Sequence, residues 1–277
     1  MRLGAQVLRN FASMRDWAEF VNEKGYRAAF CPVDCHADDS TVSELYKSAR
    51  DFDIVIAEVG VWNNVLHPNK AERRRAIAYA KRQLALADRL EAKCCVNIAG
   101  TLNSDVWYGP HRKNFSSEIF AAIVKTVQEI IDDVGPRKTF YTLEPSPFLP
   151  PDTIESYLEL IRAVNRPAFA VHWDPVNMLW QPRHFYNSAA FFKECAAAFG
   201  DLIKSCHLKD ASLDETFTLY VKECRVGAGE IDYAALLEAI DGVDPDMPGL
   251  IEHLDCEADA DAAFGFVSRV MGRGGSV

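Results

Sequence analysis

Three carboxylates and one imidazole, Glu144, Asp174, His207 and Glu252, carry the chemistry this sequence offers most plainly. Oxygen donors with a single nitrogen make a hard-to-borderline ligand set suited to Mn²⁺, Mg²⁺, Co²⁺ or Zn²⁺, with coordination positions left for a bidentate oxygen substrate. Each residue stands at or near the end of a short apolar run: "TFYTLE" (139–144), "AFAVHWD" (168–174), "IKSCHLKD" (203–210) and "GLIEHLD" (249–255). Successive members are about 30, 33 and 45 residues apart, and the last interval is lengthened by the segment 211–226. Taken singly, a charged strand end meets solvent and a lone histidine packs in a core. Four of them at matching places in successive repeats point to one metal site.

The elements that must position them follow from the same runs. Four more apolar stretches precede these, "LGAQVL" (3–8), "RAAFCPV" (27–33), "DIVIAEV" (53–59) and "KCCVNIAG" (93–100). Between the runs lie amphipathic stretches with apolar residues at i, i+3, i+4 and i+7, among them 13–25, 117–135 and 151–164. Ser13 suits an N-cap, Gly25 and Gly135 suit C′ positions, and Pro151 suits an early position of its helix. Eight strand–helix units of this kind predict an α/β fold, a (β/α)8 or TIM barrel, in which buried parallel strands read as continuous apolar runs. An open doubly wound sheet is the alternative, but the turn after the first run has no G-x-G-x-x-G for a dinucleotide. No linker divides the chain, so residues 1–277 are expected to form one barrel domain, with the tail "GRGGSV" (272–277) loose.

The chain has 277 residues, 49% of them hydrophobic and 25% charged, with a formal net charge of −10. That charge repels phosphate backbones and anionic membranes, so neither nucleic acid nor a membrane is an expected partner. The basic run "AERRRAIAYAKRQ" (71–83) has the spacing of a solvated helix face. With no signal-peptide pattern and no run near the roughly 20 apolar residues that span a bilayer, a cytoplasmic protein is expected. The eight cysteines include no CxxC pair, and no disulfide scaffold is expected. Cys31, Cys35 and His36 form a loose C-x3-C-H with no second half. Self-association of identical copies is left open.

With "LEP", "WDPVN", "CHLKD", "RVGAGEIDY" and "IEH" in place, nearly the whole chain resembles the xylose-isomerase-like barrels, which include sugar and sugar-phosphate isomerases and epimerases such as the ketose 3-epimerases. The resemblance implies one divalent metal held by Glu144, Asp174, His207 and Glu252, with Glu144 and Glu252 also the catalytic acid/base pair. The substrate it implies is a small polyhydroxy carbonyl compound. In such chemistry one carboxylate removes a C–H proton beside the carbonyl, the metal stabilises the enediolate oxygens, and the second carboxylate returns the proton on the opposite face. Arg225 occupies the place of a substrate-contacting Arg in the epimerases. Asn177 stands where the epimerases carry a substrate-binding His, which argues against a fructose-like or psicose-like substrate.

Other substrate contacts are read from position. His172 and Lys209 lie two residues from Asp174 and His207, so strand alternation places them on the same faces. Trp62 and Trp107, after the third and fourth runs, are candidates for pocket walls, and His253 is expected to point away as a structural residue. The same superfamily holds three-zinc endonucleases acting at abasic sites, which need additional histidines where this chain has Glu58, Asn97 and Asn177; that reading is set aside. The remaining alternatives are a metal-dependent inosose-type dehydratase and a sugar-binding barrel without turnover, the latter disfavoured because binding alone needs no opposed carboxylates.

Overall fold

A computed structural model describes residues 1–273; residues 274–277, within the tail expected to be loose, lie outside the described residues. All eight apolar runs form strands: β1 (Arg2–Ala5), β2 (Ala28–Phe30), β3 (Val55–Gly60), β4 (Cys94–Asn97), β5 (Phe140–Leu143), β6 (Phe169–Trp173) and β7 (Ile203–Leu208) come first. A hairpin, β8 (Asp210–Leu213) and β9 (Val221–Cys224), then precedes the last barrel strand, β10 (Pro248–Ile251). The eight barrel strands are parallel and ordered β1-β10-β7-β6-β5-β4-β3-β2. At the seam between β1 and β2 the Arg27 amide donates to the Leu3 carbonyl at 2.8 Å. A Cβ on Gly4 would overlap the Ala28 carbonyl oxygen, so glycine is what lets the seam close this far. The result is a nearly closed TIM barrel.

Helices wrap the outside: α1 (Met14–Glu23), α2 (Asp39–Asp51), α3 (Lys70–Leu90), α4 (Ser117–Val134), α5 (Ile154–Val164), the short α6 (Pro182–Phe185), α7 (Ser188–Phe199), α8 (Tyr233–Val243) and α9 (Glu257–Arg273). Their inward faces bury Leu45, Leu84, Ile123, Ile130, Leu160 and Phe192 almost completely. Each such side chain contributes roughly 1.5–3 kcal/mol by leaving water. Local signals fix the ends. The Ser13 hydroxyl accepts from the Asp16 amide at 3.1 Å, and Gly135 ends α4 with φ +59°. Pro151 does not start α5 as expected. Thr153 and Ser156 form a capping box that satisfies the first-turn amides and sets the start at Ile154, while the Pro151 carbonyl accepts from Ser146 and closes the preceding loop.

The long interval before Glu252 is explained by the antiparallel hairpin, in which Asp210 pairs with Cys224 and Leu213 with Val221. Asp210 therefore opens β8 and does not end β7. Among the described residues no helix is long and apolar enough to cross a membrane. All eight cysteines are free. Cys31 and Cys35 join no metal-competent cluster among the described residues; His36 pairs instead with Asp34 at 3.2 Å.

Candidate metal centre

Parallel strands deliver their C-terminal ends to one mouth, and the four candidate ligands meet there. Glu144 directly follows β5, where its amide donates to the Asn97 carbonyl at 2.8 Å. Asp174 follows β6, and its Oδ1 accepts from the Val176 and Asn177 amides, both at 3.0 Å, which fixes the carboxylate's orientation. His207 projects from β7, and Glu252 follows β10. One ligand atom from each lies within 4.8 Å of all the others. His207 Nδ1 stands 2.9 Å from Glu252 Oε1, 3.4 Å from Glu144 Oε1 and 4.0 Å from Asp174 Oδ2.

Lys209 reaches into the same group. Its Nζ lies 2.7 Å from Glu252 Oε1, 2.8 Å from Asp174 Oδ2 and 3.5 Å from Glu144 Oε1. Asn177 Nδ2 donates to Glu144 Oε1 at 2.9 Å and to the Pro145 carbonyl at 3.2 Å. Despite these neighbours, the buried Asp174 Oδ2 and Glu252 Oε1 accept no well-aligned hydrogen bond. Buried carboxylate oxygens whose only close partners are cationic groups, without well-aligned hydrogen bonds, are suited to a cation, and three carboxylates with one imidazole fit a divalent ion.

Burial and charge set the protonation of the group. Burial is the largest influence on Glu144 and raises its pKa to about 7, against the lowering effect of Lys209 and His207. Burial also opposes charge on Glu252, but His207, Lys209 and His253 outweigh it and hold this carboxyl well below the usual range. Burial opposes charge on His207, but the charges of Glu252 and Glu58 and the close approach of the Glu252 and Glu144 carboxylates to Nδ1 overcome it and raise the imidazole's pKa well above its ordinary value. Lys209 is likewise raised, because Asp174, Glu144 and Glu252 outweigh its desolvation. The two glutamates thus sit in unlike environments within one mouth.

Two cavities of about 680 and 600 Å³ open above these residues and share Trp62, Glu252 and His253 as common wall. Trp107, Asn177 and Lys209 line the second, together with Glu144. Trp62 and His253 both hold left-handed backbone, φ +45° and +55°. Such conformations are costly for side-chain-bearing residues and collect where the surroundings demand a particular side-chain direction. The Trp62 ring faces His207 at 6.2 Å between centroids.

Three sequence expectations are corrected. His172 lines neither mouth cavity: it is fully buried, its ring edge-on to His207 at 4.1 Å. Strand alternation did place it on the interior face with Asp174, but two residues lower along the strand is about 6.6 Å deeper in the barrel. Arg225 is turned to α9, with Nε 3.6 Å from Asp259 Oδ1, and lines neither cavity. His253 is not directed away. Its left-handed backbone turns the ring to the mouth, 2.8 Å from Glu223 Oε1 and 3.8 Å from Glu252 Oε1.

Glu58, read from sequence only as a missing histidine, is 1% exposed and forms with His172 and His207 a second cluster of metal-competent atoms. Its sequence signal was the single acid inside the apolar run "DIVIAEV". An acid buried in a strand needs partners.

A sequence comparison with curated proteins found no match. Solved structures with the same fold include a xylose isomerase-like TIM barrel protein from Mycobacterium smegmatis in complex with magnesium, at 16% identity and TM-score 0.68, covering 95% of this chain and 90% of that one. The 3-keto-D-glucoside 4-epimerase of E. coli matches at 13% identity and TM-score 0.72 over 98% and 99% of the two chains. The D-psicose 3-epimerase of Clostridium cellulolyticum H10, solved with D-tagatose, matches at 15% identity and TM-score 0.69 over 98% and 99%. Identities this low speak for the fold alone. The family model for xylose isomerase-like TIM barrels matches residues 18–266, and the chain belongs to that family.

Proposed function

We propose that this protein is a divalent-metal-dependent isomerase or epimerase of small polyhydroxy carbonyl compounds, sugars or sugar phosphates, working by proton transfer between Glu144 and Glu252. The observation that carries the reading is the convergence of Glu144, Asp174, His207 and Glu252 at the barrel mouth, where two buried carboxylate oxygens accept no well-aligned hydrogen bond. A bound divalent cation supplies Lewis-acid stabilisation of negative charge on neighbouring substrate oxygens. The remaining work falls to side chains of this chain. Trp62 and Trp107 offer apolar walls against the faces of a carbon skeleton, and Asn177 and Lys209 offer donors to its oxygens. One glutamate removes the C–H proton beside the carbonyl and the other delivers a proton to the opposite face. The Lys209 ammonium, 2.8 Å from Asp174 Oδ2 and 2.7 Å from Glu252 Oε1 at the edge of the cavity, would hold a substrate oxygen beside these carboxylates.

The test is exchange of substrate C–H protons with deuterated water, followed by NMR across a panel of ketoses, sugar phosphates and inososes with Mn²⁺ or Mg²⁺ added. Exchange is expected for at least one member of the panel, with at least a hundredfold loss in Glu144→Gln and in Glu252→Gln, as for removal of an acid/base group. Near-native exchange in both variants overturns the assignment. Tight sugar binding with no exchange identifies a binding protein instead.

A further inference from the structure

His207 is engaged on both sides of its ring. Nδ1 faces the carboxylates of the mouth, 2.9 Å from Glu252 and 3.4 Å from Glu144. Nε2 points the opposite way and lies 3.1 Å from Glu58 Oε2. Glu58 belongs to β3, across the barrel from β7, and lines neither mouth cavity. Substrate in the mouth is therefore out of its reach. The same Oε2 is 3.5 Å from the Ser205 hydroxyl and 3.6 Å from His172 Nδ1.

We infer that Glu58 is a positioning residue for the metal centre: its carboxylate accepts the Nε2 proton of His207 and so presents the Nδ1 lone pair to the divalent cation held with Glu144, Asp174 and Glu252. The inference rests on the metal reading above and adds a fifth residue to it. A neutral imidazole carries one proton, and a ring that gives electrons through Nδ1 must keep that proton on Nε2. His207 and Glu58 are both buried, and an unpaired buried N–H is costly, so a fixed acceptor decides which nitrogen is free. Carboxylates behind a ligating histidine also raise the basicity of the ring and fix its orientation. Phe30 at 5.8 Å, Trp62 at 6.2 Å and His172 at 4.1 Å between ring centroids enclose the His207 ring, but none of these contacts distinguishes one nitrogen from the other. Among the described residues, only Glu58 does so on the inner side.

The experiment measures Mn²⁺ affinity and stoichiometry by the electron paramagnetic resonance of free Mn²⁺, for wild type, Glu58→Gln and Glu58→Met, with circular dichroism confirming the fold. A nitrogen-15 histidine spectrum of the Zn²⁺-loaded protein accompanies it. Wild type is expected to bind one ion per chain and to show the His207 proton on Nε2. Glu58→Met, which removes the acceptor, is expected to weaken Mn²⁺ binding about 10–100-fold, the usual effect of losing an outer partner of a ligand. Glu58→Gln keeps an acceptor but loses the charge, and a smaller loss, several-fold, is expected. An unchanged dissociation constant in either folded variant overturns the inference while leaving the metal reading intact. So does a second ion held by Glu58, His172 and His207, with no proton on Nε2. Wild-type protein that takes up no Mn²⁺ overturns the ligand assignment itself and this inference with it.

Discussion

Lys209 competes for the same oxygens that a cation would use. Its Nζ lies 2.7 and 2.8 Å from the two carboxylate oxygens that lack well-aligned donors. A cation entering the site must displace or repel this ammonium, a like-charge term worth at least 1–2 kcal/mol at such range even in a polar protein interior. Lys209→Met is accordingly expected to tighten Mn²⁺ binding by about tenfold or more, measured by titration, while turnover falls with the loss of the substrate contact proposed for Lys209. Weaker Mn²⁺ binding in this variant would show that Lys209 supports the cation and does not compete with it. That Glu144, Asp174, His207 and Glu252 meet was legible in sequence because strand ends at regular intervals must share the barrel mouth. Glu58 and His253 were not, for separate reasons. Pairing of β2 with β3 shifts register between Ala29 and Phe30, which breaks the alternation by which Glu58 could be assigned a face. The backbone of His253 turns through a left-handed conformation, so neighbouring side chains no longer alternate.

Among the elements, the hairpin between β7 and α8 was the least legible. Its strands are four residues each and half-exposed, with Lys222 and Glu223 on β9, so no apolar run announces them. What anchors this insertion is Asp210. Its carboxylate accepts from the amides of Ala211 at 2.9 Å, Gly227 at 2.9 Å, Gly229 at 3.0 Å and Ile231 at 3.3 Å. A Cβ on Gly229 would overlap that carboxylate, which explains a glycine in "RVGAGEIDY" without recourse to a ligand. Asp210→Ala strands several buried amides at once. A loss of about 3 kcal/mol in denaturant unfolding is expected, seen as a lower midpoint at unchanged slope. A change under about 0.5 kcal/mol would mean that water replaces the carboxylate without cost. The helices that pack on the barrel were easier to read, since their apolar stripes and caps lie in contiguous sequence, and only the start of α5 was displaced, by the Thr153–Ser156 capping box.

At the scale of the whole molecule, the barrel follows from strands buried on both faces, which leave continuous apolar runs at one per repeat. The closure was less visible, because it depends on one glycine, Gly4, and on a pairing of β1 with β10 across nearly the full length of the chain. The sheet order sets β5, β6, β7 and β10 side by side and puts Glu144, Asp174, His207 and Glu252 in one mouth. Solved structures only 13–16% identical share this barrel fold. The proposed function requires that the mouth cluster hold one divalent ion. Anomalous diffraction from crystals soaked in Mn²⁺ measures this most directly. One peak enclosed by Glu144, Asp174, His207 and Glu252 is the expected result, with Lys209 withdrawn from Asp174 and Glu252. The absence of any peak there, or a peak only among Glu58, His172 and His207, would contradict it.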